Sequence, residues 1–278
     1  MIKLTVLCDN NTYIDRYYLG EPGFSCLIED GRKKILFDTG YSSVALQNAV
    51  AMGIDPGSVT DIVLSHGHND HTGGLSHFLG RIPHPVTLTA CPGVFRPRSS
   101  GGMEIGSPIG SDRLPERVIL RLSEESLSVS EHIVFLGAIP RDCPFESSAP
   151  IGEVIDNGMA VPDLITDDSA LAIIADGGLF IVTGCSHSGI INICRRAGSL
   201  FPGMPISGIL GGLHLRQVDN ASLQTVSLLE KLVSGPIYPC HCTCQDVIIR
   251  LAERLPVREV GVSLQLMFDK GAILSDPA

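Results

Sequence analysis

The stretch LSHGHNDHTGG, residues 64–74, places three of the chain's nine histidines and an aspartate within six residues, between small neighbours. His66, His68, Asp70 and His71 follow DIVLS, a short apolar run at 61–65 that reads as a buried strand. Four metal-competent side chains on a tight turn at a strand end form either a solvated polar loop or a metal site. Imidazole and carboxylate suit zinc, iron or manganese. Glycines 67, 73 and 74 let the backbone fold closely around such a centre. A solvated loop has no need of this pattern, so the metal site is the reading adopted.

The rest of the chain can supply a core for such a turn. With 278 residues and 44% hydrophobic content, one sizeable domain can bury its interior. Apolar runs are far too short to span a membrane, and MIKLTVLCDN alternates like a strand rather than reading as a secretory signal. Nine cysteines, an odd number with no C-x-x-C pair, suggest reduced thiols and a cytoplasmic address. A formal charge of −10 argues against a nucleic-acid surface.

Strands are predicted at IKLTVL, FSCLIE and KKILFD, with the last two joined by a turn at Asp30-Gly31. CLIEDGRKKILFDTG (26–40) is echoed by LAIIADGGLFIVTGC (171–185), as if two similar β units faced each other. Helices are predicted over Val44 to Met52, Ile190 to Ala197, Ala221 to Val233 and Asp246 to Leu255, with strands at ISGIL and EVGVSL. The segment from about 91 to 163 is proline-rich, with SSGGMEIGSPIGS as its loosest part. It reads as an irregular elaboration over the site within a single unit spanning 1–278.

HGHNDH with FDTG upstream resembles the metallo-β-lactamase superfamily. VLCDNNT, GFSCLIEDGRKKILFDTG, SHGHNDHTGGL, TGCSHSGIINI, GGLHL and YPCHCTC together resemble one of its branches, the group similar to a dihydropterin–ribofuranosylaminobenzene phosphate synthase. The resemblance implies an α/β fold of α+β type: an αββα sandwich of two mixed sheets flanked by helices. It also implies two divalent metals, with zinc expected and manganese or iron as alternatives. Carried over residue by residue, His66 and His68 match ligands of one metal, Asp70 and His71 those of the other. His187 and His241 stand where distal ligands are expected.

One departure matters. Much of the superfamily has a bridging aspartate where this chain has Cys185, so Cys185 or His187 fills that position, or the bridge is absent. His187 is favoured because imidazole reaches further, and Asp168 is a second candidate. Its place at the start of a helix also suits His187 to anion binding. His214 is assigned substrate contact or acid catalysis, and Asp38 the orientation of a ligand imidazole. His77, His84 and His132 read as surface residues. Cys240, Cys242 and Cys244 would lie on the side opposite His241 if the segment were extended. The function expected is a binuclear metal-dependent hydrolase of a small anionic substrate, phosphorylated or ester-containing, with hydroxide generated at the metals as nucleophile and Asp70 and His214 as catalytic groups. The alternative is a transferase of the synthase type that uses the metals to hold a diphosphate leaving group.

Overall fold

The computed structural model describes residues 1–146 and 149–270; residues 147–148 and 271–278 of the expected unit lie outside the described residues. Two sheets stack face to face. The first contains β1 (Ile2–Cys8), β2 (Ser25–Asp30), β3 (Lys33–Phe37), β4 (Asp61–Val63), β5 (Val86–Ala90), β8 (Val118–Leu122) and β17 (Gln265–Phe268). Its order is β17-β1-β2-β3-β4-β5-β8, antiparallel up to β3 and parallel from β3 to β8. The second contains β9 (Leu127–Ser128), β10 (Ile133–Phe135), β13 (Ala170–Ala175), β14 (Gly178–Thr183), β15 (Ile206–Gly212) and β16 (Ile237–Cys240), in the order β16-β15-β14-β13-β10-β9.

The period-two pattern of the strands decides which layer each side chain joins. Cys26, Ile28, Ile35 and Phe37 face inward and meet Leu171, Ile173, Phe180 and Val182 of the other sheet. Leu27, Leu36 and Ile62 face outward, under α1 (Val44–Ala51) and α3 (Leu75–Leu79). On the far side Ala172, Ile174 and Ile181 pack beneath α4 (Ile190–Leu200), α5 (Asn220–Leu232) and α6 (Gln245–Ala252). Three apolar layers between helices, sheet, sheet and helices make the expected αββα sandwich. The repeated Asp-Gly stretch forms one hairpin in each sheet, β2–β3 and β13–β14, and both turn glycines have positive φ (Gly31 62°, Gly177 93°).

Within 91–163 the chain is more regular than its prolines suggest. It forms β6 (Arg98–Ser100), β7 (Met103–Glu104), β11 (Glu153–Asp156) and β12 (Met159–Pro162), a small sheet in the order β12-β11-β6-β7. That sheet reaches the metal-candidate turn: Asn69 N donates to Ile105 O at 2.8 Å. EVGVSL is not a strand. Ser263 adopts φ 79°, which breaks the run, and the edge strand forms afterwards as β17. Among the described residues no helix is long and apolar enough to cross a membrane.

Candidate metal centre

The candidate ligands sit at the carboxyl ends of strands from both sheets. After β4 the chain delivers His66 and His68, then α2 (Asn69–Thr72) turns Asp70 and His71 back towards them. His68 starts that turn in an extended conformation, its carbonyl accepting from Thr72 Oγ1 at 2.9 Å. The turn needs its glycines. A side chain at Gly67 would collide with Arg98 and the carbonyl of Val94, and one at Gly74 with the carbonyl of Thr39.

Three imidazoles converge. His66 Nε2 lies 3.0 Å from His68 Nδ1 and 3.2 Å from His187 Nε2. Ser65 Oγ donates to Asp38 Oδ2 at 2.7 Å and lies 2.9 Å from His66 Nδ1, which fits a proton on Nδ1 and a free lone pair on Nε2. Burial pushes His66 and His187 well below the usual imidazole range and His68 down to about 4, so all three are neutral. His68 Nε2 is moreover buried with no hydrogen-bond partner, a lone pair or N–H that nothing among the described residues completes. The set therefore fits a divalent metal.

A second set adjoins it. Asp70, His71, Cys185 and His241 each offer a ligand atom within 4.8 Å of the others. His71 Nε2 lies 3.1 Å from Cys185 Sγ, and Asp70 Oδ2 lies 3.3 Å from His241 Nε2. His71 Nδ1 meets Asp38 Oδ2 at 2.7 Å, so Asp38 orients this imidazole as expected. Burial pushes His71 down, but the Asp70 and Asp38 carboxylates outweigh it and raise it to about 9. Asp70 is held well below the usual carboxylate range: burial opposes this, but His71 and His241 prevail.

The structure brings both Cys185 and His187 to the candidate site, in different groups. His187 groups with His66 and His68, while Cys185 groups with Asp70, His71 and His241. Asp168 joins neither set. Its Oδ2 accepts from Ser188 N at 2.8 Å, behind His187, and burial raises its pKa to about 6. The backbone amides expected to receive an anion after His187 are already taken: Ile191 N and Asn192 N donate to Glu146 at 2.7 and 2.9 Å. His214 follows β15 by two residues and lies beside the site, its ring centroid 4.4 Å from that of His187. His132 is not a surface residue; it is 3% exposed and contacts Asp30 Oδ2 at 3.2 Å. The cysteine alternation fails because His241 adopts φ 51°, which ends the extended run and swings Cys242 towards Cys185 and His214.

Several positioning residues were not read from the sequence. Asp9 and Asn10, beyond β1, hold His241: its N donates to Asp9 Oδ1 at 3.1 Å and its Nδ1 lies 2.9 Å from Asn10 Oδ1. Buried Arg98 bonds Asp163 and Asp167, and Asp167 Oδ2 accepts from Gly67 N at 2.8 Å, between the candidate ligands His66 and His68. The polar triplet Asp9-Asn10-Asn11 directly after a strand is the one local signal that pointed to this. Above the two sets opens a cavity of about 500 Å³, walled by Tyr41, Met103, Ile105, Ile151 and Arg216.

Comparison with known proteins agrees with this geometry. Residues 19–154 match the metallo-beta-lactamase superfamily. A 7,8-dihydropterin-6-methyl-4-(beta-D-ribofuranosyl)-aminobenzene-5'-phosphate synthase of Methanocaldococcus jannaschii is 32% identical over 259 residues, 87% of each chain. An uncharacterized protein of the same organism, MJ0448, is 33% identical over 254 residues, 91% of this chain and 94% of its own. The crystal structure of Tm1679, described as a metal-dependent hydrolase of the beta-lactamase superfamily, superposes with a TM-score of 0.83 at 27% identity, over 97% of this chain and 100% of that one. With its sandwich, its strand-end histidines and these relatives, the chain belongs to the metallo-β-lactamase superfamily, in the branch similar to that synthase.

Proposed function

We propose that the protein is a binuclear metal-dependent hydrolase of a small anionic substrate, phosphorylated or ester-containing. The observation that carries this is the meeting of two donor sets beneath one cavity. His66, His68 and His187 would hold one ion; Asp70, His71, Cys185 and His241 the other. Divalent metals bound there supply Lewis acidity and an activated water; zinc suits these donors, with manganese or iron as alternatives.

The chain's own groups do the rest. Ser65 and Asp38 hold protons on the outer nitrogens of His66 and His71, so the inner Nε2 of each faces the metal position; His71 would give up its inner proton to bind an ion there. The Asp70 side chain, 30% exposed, is the accessible carboxylate of the set and is placed to accept a hydrogen bond from the attacking water or hydroxide. His214 lines the same cavity and is the candidate acid for the leaving group. Arg216 stands exposed on the wall and pairs with no carboxylate among the described residues, so it can meet an anionic substituent. Met103, Ile105 and Ile151 supply an apolar face and keep bulk water away from one side.

A second reading rests on the 32% identical relative: condensation of a pterin-like methyl carbon with an arylamine, with a diphosphate leaving group held over the same donors. In either case the partner is a small molecule rather than nucleic acid or a membrane, which the charge of −10 supports. The nine free cysteines support a reducing, cytoplasmic setting. The test is to incubate metal-loaded protein with phosphodiesters, lactones and, separately, a dihydropterin methyl diphosphate plus an arylamine. Cleavage that is lost on chelation and restored by zinc or manganese supports the hydrolase. Condensation with inert generic esters reverses the order.

A further inference from the structure

Cys242 and His214 belong to neither donor set described above, yet both turn towards Cys185. The ligand atoms of Cys185, His214 and Cys242 all lie within 4.8 Å of one another. We propose that these three residues form a third, thiolate-rich metal position beside the two His/Asp sets, with the Cys185 sulfur shared between the second position and the third; with that position filled, His214 is a ligand in place of the acid role given it above.

Four independent features converge on this. His214 Nδ1 is buried and has no hydrogen-bond partner, an arrangement that costs free energy unless something completes it. The backbone at both His214 (φ 48°) and His241 (φ 51°), just beyond the ends of β15 and β16, is left-handed, a conformation uncommon at a non-glycine residue that persists where its surroundings enforce it. The enforcing contacts run between these two strand ends: His214 N donates to Cys242 Sγ at 3.3 Å and Leu213 N to Thr243 Oγ1 at 3.0 Å. Room is kept for the thiol as well. A Cβ on Gly212 would stand 2.5 Å from both Cys242 Sγ and the carbonyl oxygen of Gly184, so the second glycine of GGLHL lets the β15 end close on the Cys242 sulfur and the backbone before Cys185.

The donor chemistry selects the ion. Two thiolates and one imidazole form a soft set, favouring zinc, ferrous iron or cuprous copper over magnesium or calcium. All three residues line the 500 Å³ cavity, so a fourth position opens to solvent or substrate. Three protein ligands with one open position is a coordination pattern that zinc adopts at reactive sites. Two thiolates also offset the charge of a divalent ion, which limits its repulsion of ions in the neighbouring sets, and a shared sulfur screens it further. Binding requires both thiols to lose their protons, so uptake releases protons and weakens in acid.

The test is metal stoichiometry on the full chain, purified without a histidine tag under a phosphine reductant, stripped by chelation and titrated with Co(II) alone. Bound metal is counted by elemental analysis after dialysis, and thiolate ligation is read from the sulfur-to-cobalt charge-transfer absorption in the near ultraviolet. Cys242→Ser and His214→Ala should each bind one equivalent fewer than wild type, and Cys242→Ser should also lose part of the charge-transfer band. Cys244→Ser, which alters a neighbouring thiol outside the cluster, should match wild type. The remaining equivalents in each variant report that the fold and the other sets are intact. Equal stoichiometry and equal absorption in wild type and Cys242→Ser overturn the proposal, as does a Cys185–Cys242 disulfide persisting under reductant. Because the reading is a difference between variants, it is separate from whether His66 or Asp70 bind: loss of an equivalent in His187→Ala alone supports the two-metal reading and leaves the third position refuted.

Discussion

Removing Arg98 should reveal how the 91–163 segment is fastened to the metal-candidate turn. The Arg98 guanidinium is 4% exposed and bonds Asp163, 3% exposed, through Nε at 2.7 Å, and Asp167, 1% exposed, through Nη2. Arg98→Met leaves two carboxylates in the interior without their cation. Breaking a buried pair by deleting one partner costs about 3–5 kcal/mol. At about 2–4 °C per kcal/mol for a chain of this size, the melting temperature should fall by roughly 6–20 °C. The defect should also reach the first donor set, because Asp167 fixes the Gly67 amide between His66 and His68. Burial already raises Asp167 against the pull of Arg98, and without Arg98 its folded pKa must rise further. A folded pKa raised above the unfolded one gives stability that is present in acid and lost as pH rises through the folded value. The deficit should therefore shrink on acidification. Calorimetry at several pH values, with Zn(II) titration beside it, measures both effects. Arg98→Met/Asp163→Asn/Asp167→Asn should recover much of the loss, since the penalty lies in the unpaired charges. A single mutant melting within about 2 °C of wild type, or a triple mutant no better than the single, would refute the reasoning.

Other perturbations separate the roles of the remaining groups. Burial raises Glu146 from 4.5 to about 7 against the α4 amides that hold it, so the stability it contributes is present in acid and is lost as pH rises between those values. Glu146→Gln does not titrate there and should gain on wild type across that window, levelling off above about pH 7; parallel melting curves at pH 5 and pH 8 refute this. Asp38→Ala removes the acceptor for both Ser65 Oγ and His71 Nδ1, and metal affinity or activity should fall about 10–100-fold in competition titrations with a chromophoric chelator. His187→Ala and His241→Ala should each lower metal occupancy with an unchanged far-ultraviolet spectrum, and full occupancy in either would remove that residue from the ligand set. Asp70→Asn should abolish hydrolysis, because an amide does not supply the charge; measurable turnover would remove Asp70 from that role.

The sandwich was legible through the family resemblance, and its strands through short apolar runs and two Asp-Gly turns; the helices at 190–200 and 220–232 fall within a few residues of their periodic patterns. The first four candidate ligands were legible for a different reason: they are contiguous, so one turn carries the whole pattern. What was lost is whatever depends on backbone turning between distant segments. His241 and Cys242 read as opposite faces of a strand, but a left-handed residue at His241 ends the strand and directs both inward. Nor does the pattern around His187 show that the following helix start is occupied, since Glu146 arrives from more than forty residues upstream.

Arg98, Asp163 and Asp167 look in sequence like ordinary charges in a loose, proline-rich stretch. Only the small sheet of β6, β7, β11 and β12 brings Arg98 and Asp163 into one buried contact, with Asp167 completing it against Gly67. The same geometry changes what that segment is for. A surface insertion would leave its cations in water, whereas here the guanidinium is desolvated and fastened to the turn bearing His66 and His68. Met103, Ile105 and Ile151 then form the wall of the cavity above the ligands. The cavity wall and the turn bearing the candidate ligands are therefore tied together through one ion-paired arginine, and on the proposed function substitutions in the 91–163 segment should alter metal affinity as well as substrate preference.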